Sequence, residues 1–367
     1  MADNDLPPAD HAARRARLRA RLAEHDLEAL LVTHRVNVRY LTGFTGSNGA
    51  LLVGPDDEHS VLLTDGRYAT QAEQQTPDLA HDIGRGSLGL RALDHAATPA
   101  TGFEHDHLSY AAGCALTEAA GERDLAVNGT SGLVEALRAV KDEHELGALT
   151  RACELSDAAF LALIEWLAPG VTEIEVARLL DRTGEDLGSA GPSFETIAAS
   201  GPNGGMPHHR PTARPIERGE LLTVDFGALV AGYHADITRT VAIGHPADEL
   251  GRIHAIVLEA QAAGRAAATD ATTAGDVDAA TRAVIEAAGY GEQFVHPTGH
   301  GVGLEIHEAP TVVAEGTATL APGMAITVEP GIYLPGVGGV RIEDTVVVTS
   351  HGPARTLTDS PRELLVL

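Results

Sequence analysis

The feature that most constrains this chain is a segment that it contains twice. Residues 217–240 (ERGELLTVDFGALVAGYHADITRT) recur in modified form about a hundred residues later, at 321–345 (APGMAITVEPGIYLPGVGGVRIEDT). Aligning the copies pairs Asp225 with Glu329 and Asp236 with Glu343. Each copy shows the alternation, glycine-containing bend and return that are typical of two antiparallel strands. The sequence therefore predicts two similar hairpins, each with one carboxylate on either arm.

The spacing predicts that these carboxylates meet. A bend near Val230 and Ala231 would set Asp225 and Asp236 opposite each other on one face, where opposed Cβ atoms lie roughly 5 Å apart. Two carboxylates so close repel each other unless a cation lies between them. Two facing hairpins supply four acidic donors, enough for a pair of divalent ions roughly 3.5–4 Å apart. We therefore expect a dinuclear metal site.

The alternative is that these acids are solvated or cap turns, the ordinary fate of a carboxylate on an acidic surface. The residues that flank them are apolar: Val224, Phe226, Val328 and Ile342. Strands with such neighbours should be buried, and a buried unpaired carboxylate is too costly to be retained without a partner. We therefore favour the metal site.

The length and the order of elements predict a two-domain α/β protein. At 367 residues the chain exceeds the usual size of one domain. Strands alternate with helices to about Val127, with a polar bend at 35–39, and a turn-forming break follows at 128–132 (NGTSG). We place the domains at 1–130 and 131–367. The second domain contains the order helix, helix, histidine-containing loop and hairpin twice, which predicts a pseudo-symmetric α+β fold.

The charge excludes some partners and suggests an environment. The chain has 26 Lys+Arg against 52 Asp+Glu, a formal net charge of −26, which argues against nucleic-acid and anionic-membrane binding. Lys141 is the only lysine. An acidic, lysine-poor surface is what we expect of a halophilic protein, since concentrated salt screens self-repulsion.

The sequence contains no apolar run long enough to predict an export signal or a membrane span. We expect a cytoplasmic protein with a disordered acidic lead up to about Asp10, and with Cys114 and Cys153 as small buried thiols.

The histidines of GHGVGLEIHE, His300 and His307, are the candidates for the remaining site residues. The glycines on both sides of His300 leave the backbone room to approach an ion closely. On a bent strand His300 and His307 could reach one cavity, one as a ligand and the other as a proton donor. Taken alone, either is as readily a hydrogen-bonded structural histidine.

Four blocks, TVDFG…DITRT, GHGVGLEIHE, TVEPGIY and VRIEDT, resemble the signatures of the pita-bread metallopeptidases. The resemblance is to their proline-directed branch, the Xaa-Pro aminopeptidases and Xaa-Pro dipeptidases (prolidases). NVRYLTGFTGSNGALLV and LLTDGRY resemble that branch's creatinase/prolidase-type N-terminal α/β domain, so the likeness covers the whole chain. It implies a pita-bread catalytic domain, a peptide substrate with proline at the second position, and a homodimer.

The resemblance also implies roles for individual residues. Asp225 would chelate one metal ion, His300 and Glu329 the other, and Asp236 and Glu343 would bridge both. A metal-activated water would be the nucleophile, with Glu329 as its general base. The roles beyond the metal ligands are these: His307 donates to the tetrahedral intermediate, His208 acts near the leaving group, and Arg341 orients Glu343 and its surroundings.

One departure from the family pattern concerns the segment after His208. The family has glycine there, whereas this chain has His209, so either histidine could serve the leaving group. For Arg341 a plain salt bridge with a neighbouring acid is the competing interpretation. Four oxygens and one imidazole favour Mn²⁺, although Co²⁺ or Zn²⁺ could occupy the same geometry.

Two alternative functions stay open. One is a methionine aminopeptidase or another N-terminal exopeptidase, which the extra N-terminal domain disfavours. The other is a non-catalytic peptide-binding homologue, which the presence of all five ligands disfavours. The sequence does not distinguish dipeptides from longer peptides as substrates.

Overall fold

The computed structural model describes residues 6–96 and 100–367. They form two compact units: Pro8–Arg138, and Ala139–Leu367 with a short N-terminal stretch that includes Leu6 and Pro7. The predicted boundary between residues 130 and 131 stays a prediction. The first half of the predicted disordered lead, residues 1–5, lies outside the described residues. At its other end Asp10 is ordered and caps the first helix by accepting a 2.8 Å bond from the Ala13 amide.

The first unit is an α/β domain with helices packed on a six-stranded sheet. Its strands are β1 (Ala29–Val32), β2 (Gly49–Val53), β3 (Val61–Thr64), β4 (Ala80–Ile83), β5 (Thr101–Glu104) and β6 (Val127–Thr130). Its helices are α1 (His11–Ala23), α2 (Arg35–Thr42), α3 (Ala69–Gln75), α4 (Leu88–Ala92), α5 (Tyr110–Gly121) and α6 (Glu135–Arg138), with a 3₁₀ turn at Gly66–Tyr68. The strand order is β4-β3-β2-β1-β5-β6. The predicted α/β architecture of this part of the chain is confirmed.

The polar bend predicted at residues 35–39 is wrong, because α2 occupies this stretch. Gly43 ends the helix in the left-handed conformation, and five of its residues are almost fully buried: Asn37, Val38, Tyr40, Leu41 and Thr42. Tertiary burial of one face therefore outweighs the polar local composition that suggested a bend.

The second unit contains the duplicated order of elements. Its helices are α7 (Glu143–Trp166), α8 (Glu173–Asp186), α9 (Asp248–Ala267) and α10 (Ala274–Ala287). The first-half strands are β7 (Ile197–Ser200), β8 (Glu220–Phe226), β9 (Leu229–Val230), β10 (Tyr233–His234) and β11 (Ile237–Ile243). The second-half strands are β12 (Gly299–Gly301), β13 (Glu308–Val312), β14 (Ala325–Val328), β15 (Gly331–Leu334), β16 (Gly338–Arg341), β17 (Asp344–Val347) and β18 (Arg355–Thr356), with 3₁₀ turns at Gly201–Gly205 and Gly291–Gln293.

The two halves also share local chemistry. Helix α8 begins with a capping box between Thr172 and Glu175, as predicted, and α10 begins with the same device between Thr273 and Asp276. In each box the hydroxyl and the carboxylate satisfy two backbone amides that a helix start leaves without partners. The second helix of each half is thus started in the same way, which agrees with the predicted pseudo-symmetry.

The hairpins lie in the core of this unit. Strand β8 pairs with β11, β14 pairs with β17, and apolar side chains of α7 and α8 pack on β8 and β11. The four apolar neighbours of the carboxylates are at most 3% exposed: Val224, Phe226, Val328 and Ile342. The prediction that these strands are buried is therefore confirmed.

Two smaller expectations have different outcomes. None of the helices in the described residues has the length and apolarity that crossing a membrane requires. Cys153 is buried as expected, but Cys114 is exposed on α5, so the prediction of two buried thiols is wrong for Cys114.

Candidate active site

The carboxylates lie at the ends of the hairpin strands. Asp225 is the penultimate residue of β8 and Asp236 directly precedes β11, whereas Glu329 directly follows β14 and Glu343 directly precedes β17. The expectation that Asp225 faces Asp236 is wrong in register, because Asp225 pairs with Thr238. Alternation along the strand still puts Asp236 on the same face, two positions along.

The structure brings the predicted ligands together. Ligand atoms of Asp236, His300 and Glu343 all lie within 4.8 Å of one another. His300 Nε2 lies 3.3 Å from Glu329 Oε1 and 3.5 Å from Asp236 Oδ2. His300 Nδ1 lies 3.0 Å from the Gly301 carbonyl oxygen, to which it donates, so Nε2 is left to face the carboxylates as a ligand would.

The glycines around His300 serve the sheet rather than an ion. A Cβ on Gly299 would lie 2.0 Å from the carbonyl oxygen of Thr327, and one on Gly301 would lie 2.2 Å from that of Ala309. Strand β12 is therefore pressed between β13 and β14, and only glycine permits the approach. The close packing aims His300 at the cluster indirectly, by fixing its backbone.

The electrostatics of the cluster favour binding of a cation. Burial raises the pKa of Asp236 far above its usual range, and repulsion from Glu343, Asp225 and Glu329 raises it further. Burial likewise raises the pKa of Glu343 and of Asp225. Burial would also raise the pKa of Glu329, but its hydrogen bond with His300 lowers it overall. Buried carboxylates that oppose one another's ionisation are relieved by a cation.

Two buried oxygens fit this interpretation. Asp225 Oδ1 and Glu343 Oε1 are shielded from solvent and accept no hydrogen bond from any described residue. The other oxygen of each carboxylate is hydrogen-bonded: Asp225 Oδ2 accepts from Arg341 Nη2 at 2.6 Å, and Glu343 Oε2 accepts from Thr238 Oγ1 at 2.7 Å. Each side chain is therefore oriented by one oxygen and presents the other to the cluster. This donor set fits a pair of divalent cations.

Arg341 pairs with a different acid from the one expected. Its guanidinium bonds Asp225, while Nε donates to Thr238 Oγ1 at 3.1 Å and Nη1 to Tyr333 Oη at 2.8 Å. It reaches Glu343 only through Thr238, whose hydroxyl donates to that carboxylate. Both predicted interpretations of Arg341 thus have a counterpart, a salt bridge with Asp225 and an indirect link to Glu343.

The histidines divide into two groups. The His307 ring stands edge-on to His300 with centroids 4.4 Å apart. Burial and the neighbouring charge of His300 lower the pKa of His307. The residue before His208 contacts the site, since the Pro207 carbonyl accepts from Arg341 Nη1 at 3.2 Å. His208 is exposed. His209, in contrast, lies 2.9 Å from Glu173 Oε2 with its side chain 8% exposed, a structural position.

Two polar residues at the site escaped the sequence analysis. His296 Nε2 lies 2.8 Å from Tyr333 Oη, which also accepts from Arg341. Burial lowers the pKa of His296 and raises that of Tyr333 to about 12, so both stay neutral near pH 7. The available signal was position: Tyr333 ends the block TVEPGIY, and His296 stands three residues before GHGVGLEIHE.

Glu173 anchors the loop that contains His208. Its buried carboxylate accepts bonds from Ser200, Asn203, His209 and Thr212. Burial opposes ionisation, but these donors outweigh it and lower the pKa of Glu173 to about 2.

We expect this anchor to weaken in acid. A depressed folded pKa stabilises the protein above the unfolded value of about 4.5, and this contribution is lost as pH falls toward 2. Glu173→Gln should therefore lower the melting temperature of the metal-free protein at pH 7. Between pH 5 and pH 3 the melting temperature of this variant should decrease less steeply than that of the wild type. The exposed Glu185→Gln on α8 is the control. An equally steep acid profile in Glu173→Gln would contradict the assignment.

Comparison with known proteins agrees with the geometry. Residues 147–350 match metallopeptidase family M24, and residues 14–140 match the creatinase/prolidase N-terminal domain. An uncharacterized peptidase of Bacillus subtilis, YqhT, is 40% identical over 96% of this chain and 99% of its own length.

Two solved structures are similar over nearly their full length. An Xaa-Pro dipeptidase from Bacillus anthracis superposes with a TM-score of 0.92 at 41% identity, covering 98% of this chain and 100% of that one. An X-Pro aminopeptidase from Thermotoga maritima gives 0.86 at 36% identity, covering 96% and 99%. The protein therefore belongs to metallopeptidase family M24, with a creatinase/prolidase N-terminal domain ahead of a pita-bread catalytic domain.

Proposed function

We propose that this protein is an exopeptidase that hydrolyses the bond between an N-terminal residue and a following proline. The observation that supports it most is the buried cluster of four carboxylates and one imidazole, in which two oxygens accept no hydrogen bond from the described residues. The proline preference is supported by two relatives, the Xaa-Pro dipeptidase from Bacillus anthracis and the X-Pro aminopeptidase from Thermotoga maritima.

The ligands would be the five residues of the cluster, Asp225, Asp236, His300, Glu329 and Glu343. Bound divalent ions, Mn²⁺ in our proposal because the donors are mostly hard oxygens, would polarise the substrate carbonyl and acidify water. Glu329 would accept the proton of that water. Its carboxylate is suitably held, since Thr327 Oγ1 donates to Oε1 at 3.3 Å and the Glu329 amide donates to the Thr298 carbonyl at 2.8 Å.

The histidines would handle the other charges of the reaction. His307 stands beside His300 at the edge of the cluster, where it would donate to the oxygen of the tetrahedral intermediate. When the peptide bond breaks, the proline nitrogen must gain a proton, because an unprotonated amide anion is a very poor leaving group. His208 is the better candidate donor than His209, because Glu173 already holds the His209 ring.

His208→Ala should lower kcat by roughly 10²-fold or more, the usual contribution of a positioned proton donor. Its melting temperature should stay unchanged, because the side chain is exposed. His209→Ala should instead lower the melting temperature, since Glu173 loses a buried partner. The opposite result, with kcat lost only in His209→Ala, would exchange their roles.

The substrate is tested by comparing Ala-Pro, Ala-Pro-Ala and Ala-Ala in Mn²⁺ and high KCl. We expect at least one of the two proline peptides to be cleaved much faster than Ala-Ala. A preference for Ala-Pro would indicate dipeptidase activity, and a preference for Ala-Pro-Ala would indicate aminopeptidase activity. Equal cleavage of Ala-Ala would favour another N-terminal exopeptidase. No cleavage of any peptide, with metal bound, would favour a peptide-binding protein.

The assembly and the environment belong to the same proposal. We infer a homodimer from the family resemblance, a cytoplasmic location as the sequence analysis predicts, and a salt-adapted protein from the net charge of −26. Analytical ultracentrifugation tests the dimer. Loss of activity and of folded structure below roughly 0.5 M KCl, where screening weakens, would support the salt adaptation.

A further inference from the structure

The chain's only lysine is buried in the second unit and paired with the residue that follows His307. Of the 26 Lys+Arg residues, all except Lys141 are arginines. The Lys141 side chain is 1% exposed, and its ammonium lies 3.1 Å from Oε2 of Glu308, whose side chain is 5% exposed. Salt adaptation of the surface therefore does not account for this lysine, and its role must be sought in the interior.

The Glu308 carboxylate organises residues 303–308, which we call the His307 loop. Its Oε1 accepts a 3.1 Å bond from the Glu305 amide. A Cβ on Gly303 would lie 2.6 Å from Oε2, so the carboxylate packs directly against this glycine. The Gly303 amide donates in turn to the Glu305 carbonyl at 3.1 Å. The loop therefore folds around one buried carboxylate, and His307 is the residue before it.

The backbone of Lys141 is held on both sides. Its amide donates to the Gly323 carbonyl at 3.0 Å, which joins it to the turn before β14. The next residue, Asp142, begins α7 with a capping box. Because this backbone is fixed by the hairpin and by the helix, the ammonium can hold the Glu308 carboxylate in one place.

Fold stability alone does not require this ion pair. Replacing a buried ion pair by apolar residues of similar volume is often neutral or stabilising, because both charges lose their hydration on burial. What the pair provides here is geometry, since both oxygens of Glu308 have a fixed donor. A lysine ammonium is a compact point charge that suits a single carboxylate oxygen, whereas the arginine fork is wider.

We propose that Lys141 is a positioning residue, which fixes through Glu308 the loop that aims the His307 ring at the metal cluster. The ring stands edge-on to His300 with centroids 4.4 Å apart. Such placement matters for a rate, since a misplacement of about 1 Å can lower it by roughly 10²-fold. The inference rests on the proposed function, in which His307 donates to the tetrahedral intermediate.

The kinetic test uses a variant that keeps the interior neutral. Lys141→Met alone leaves a buried unpaired charge on Glu308, so it is combined with Glu308→Gln, which retains an acceptor for the Glu305 amide. We expect the double variant to lose roughly 10- to 100-fold in kcat. Its gain in melting temperature with Mn²⁺ should equal that of the wild type, because all five ligands are intact.

The same two substitutions in a His307→Ala background show whether the effect passes through His307. They should lower kcat no further there. A wild-type kcat in the double variant would overturn the proposal, and so would an equal loss in both backgrounds, because Lys141 would then act on another part of the protein. Arg218→Met, which removes an exposed cation of the same unit, should leave kcat unchanged.

Amide hydrogen exchange tests the positioning without the reaction. In metal-free protein the His307 loop should exchange several-fold faster in the double variant than in the wild type, whereas β8 should exchange at the same rate in both. Arg218→Met should match the wild type in both segments. Absence of peptide cleavage by the wild type would contradict the proposed function, whereas unchanged exchange in the loop would overturn the role of Lys141.

Discussion

Glu343→Gln is expected to lose roughly 10³-fold or more in kcat/KM while its metal-free form stays at least as stable as the wild type. The loss follows because the substitution removes a negative ligand from the cluster, and a catalytic metal contributes several kcal/mol at about 1.4 kcal/mol per factor of ten. The stability follows because Glu343 is 1% exposed, repels its acidic neighbours and has one oxygen without a partner among the described residues. A glutamine oxygen still accepts the bond from Thr238.

The measurement pairs activity with thermal unfolding in chelator and in Mn²⁺. Binding to the native state stabilises a protein by RT ln(1 + [L]/Kd), about 2.7 kcal/mol at a hundredfold excess over Kd. The wild type should therefore gain melting temperature with Mn²⁺, and Glu343→Gln should gain much less. Glu259→Gln, the same change on an exposed position of α9, is the control. A destabilised metal-free variant with normal Mn²⁺ stabilisation would mean that Glu343 is structural.

The duplicated segment made the site predictable, because a repeat shows which positions correspond before any distance is known. Pairing Asp225 with Glu329 and Asp236 with Glu343 required only the letters and the period of a strand. The register was not predictable in this way. In the first hairpin the chain turns at Ala231 and Gly232, both with positive φ, and forms the short β9–β10 ladder before β8 meets β11. Turn geometry sets register, and local sequence specified it only loosely here.

Partners that come from distant segments were also beyond the sequence. The family resemblance implied that Arg341 orients Glu343, yet the guanidinium bonds Asp225 from the other half of the unit. The contact between Tyr333 and His296 could not be predicted for the same reason, because it forms only when the fold places β15 beside the loop before β12. Helix α2 differs, because there burial reversed a local preference. Sequence pattern gives composition and period, whereas these contacts depend on packing across the core.

Arg341→Met is expected to destabilise the metal-free protein by roughly 3–5 kcal/mol, the usual effect of breaking a buried ion pair by removing one partner. Arg341 is 3% exposed and donates to Asp225, Thr238, Tyr333 and the Pro207 carbonyl. Removing it leaves Asp225 with a buried negative charge. Asp225→Asn neutralises that charge, so adding it to Arg341→Met should recover part of the loss. The two substitutions should therefore be coupled by roughly 0.5–3 kcal/mol.

The cycle is measured by urea unfolding in chelator, with tryptophan fluorescence as the signal. Trp166 is the chain's single tryptophan and ends α7, so it reports on the unit that contains the ion pair. Arg218→Met, at an exposed position of the same unit, controls for the loss of a guanidinium as such. Mn²⁺ should restore more stability to Arg341→Met than it gives to the wild type, because a cation beside Asp225 replaces the missing positive charge. Additive effects of the two substitutions, together with equal Mn²⁺ stabilisation of both proteins, would show that Arg341 supports the fold without acting through Asp225.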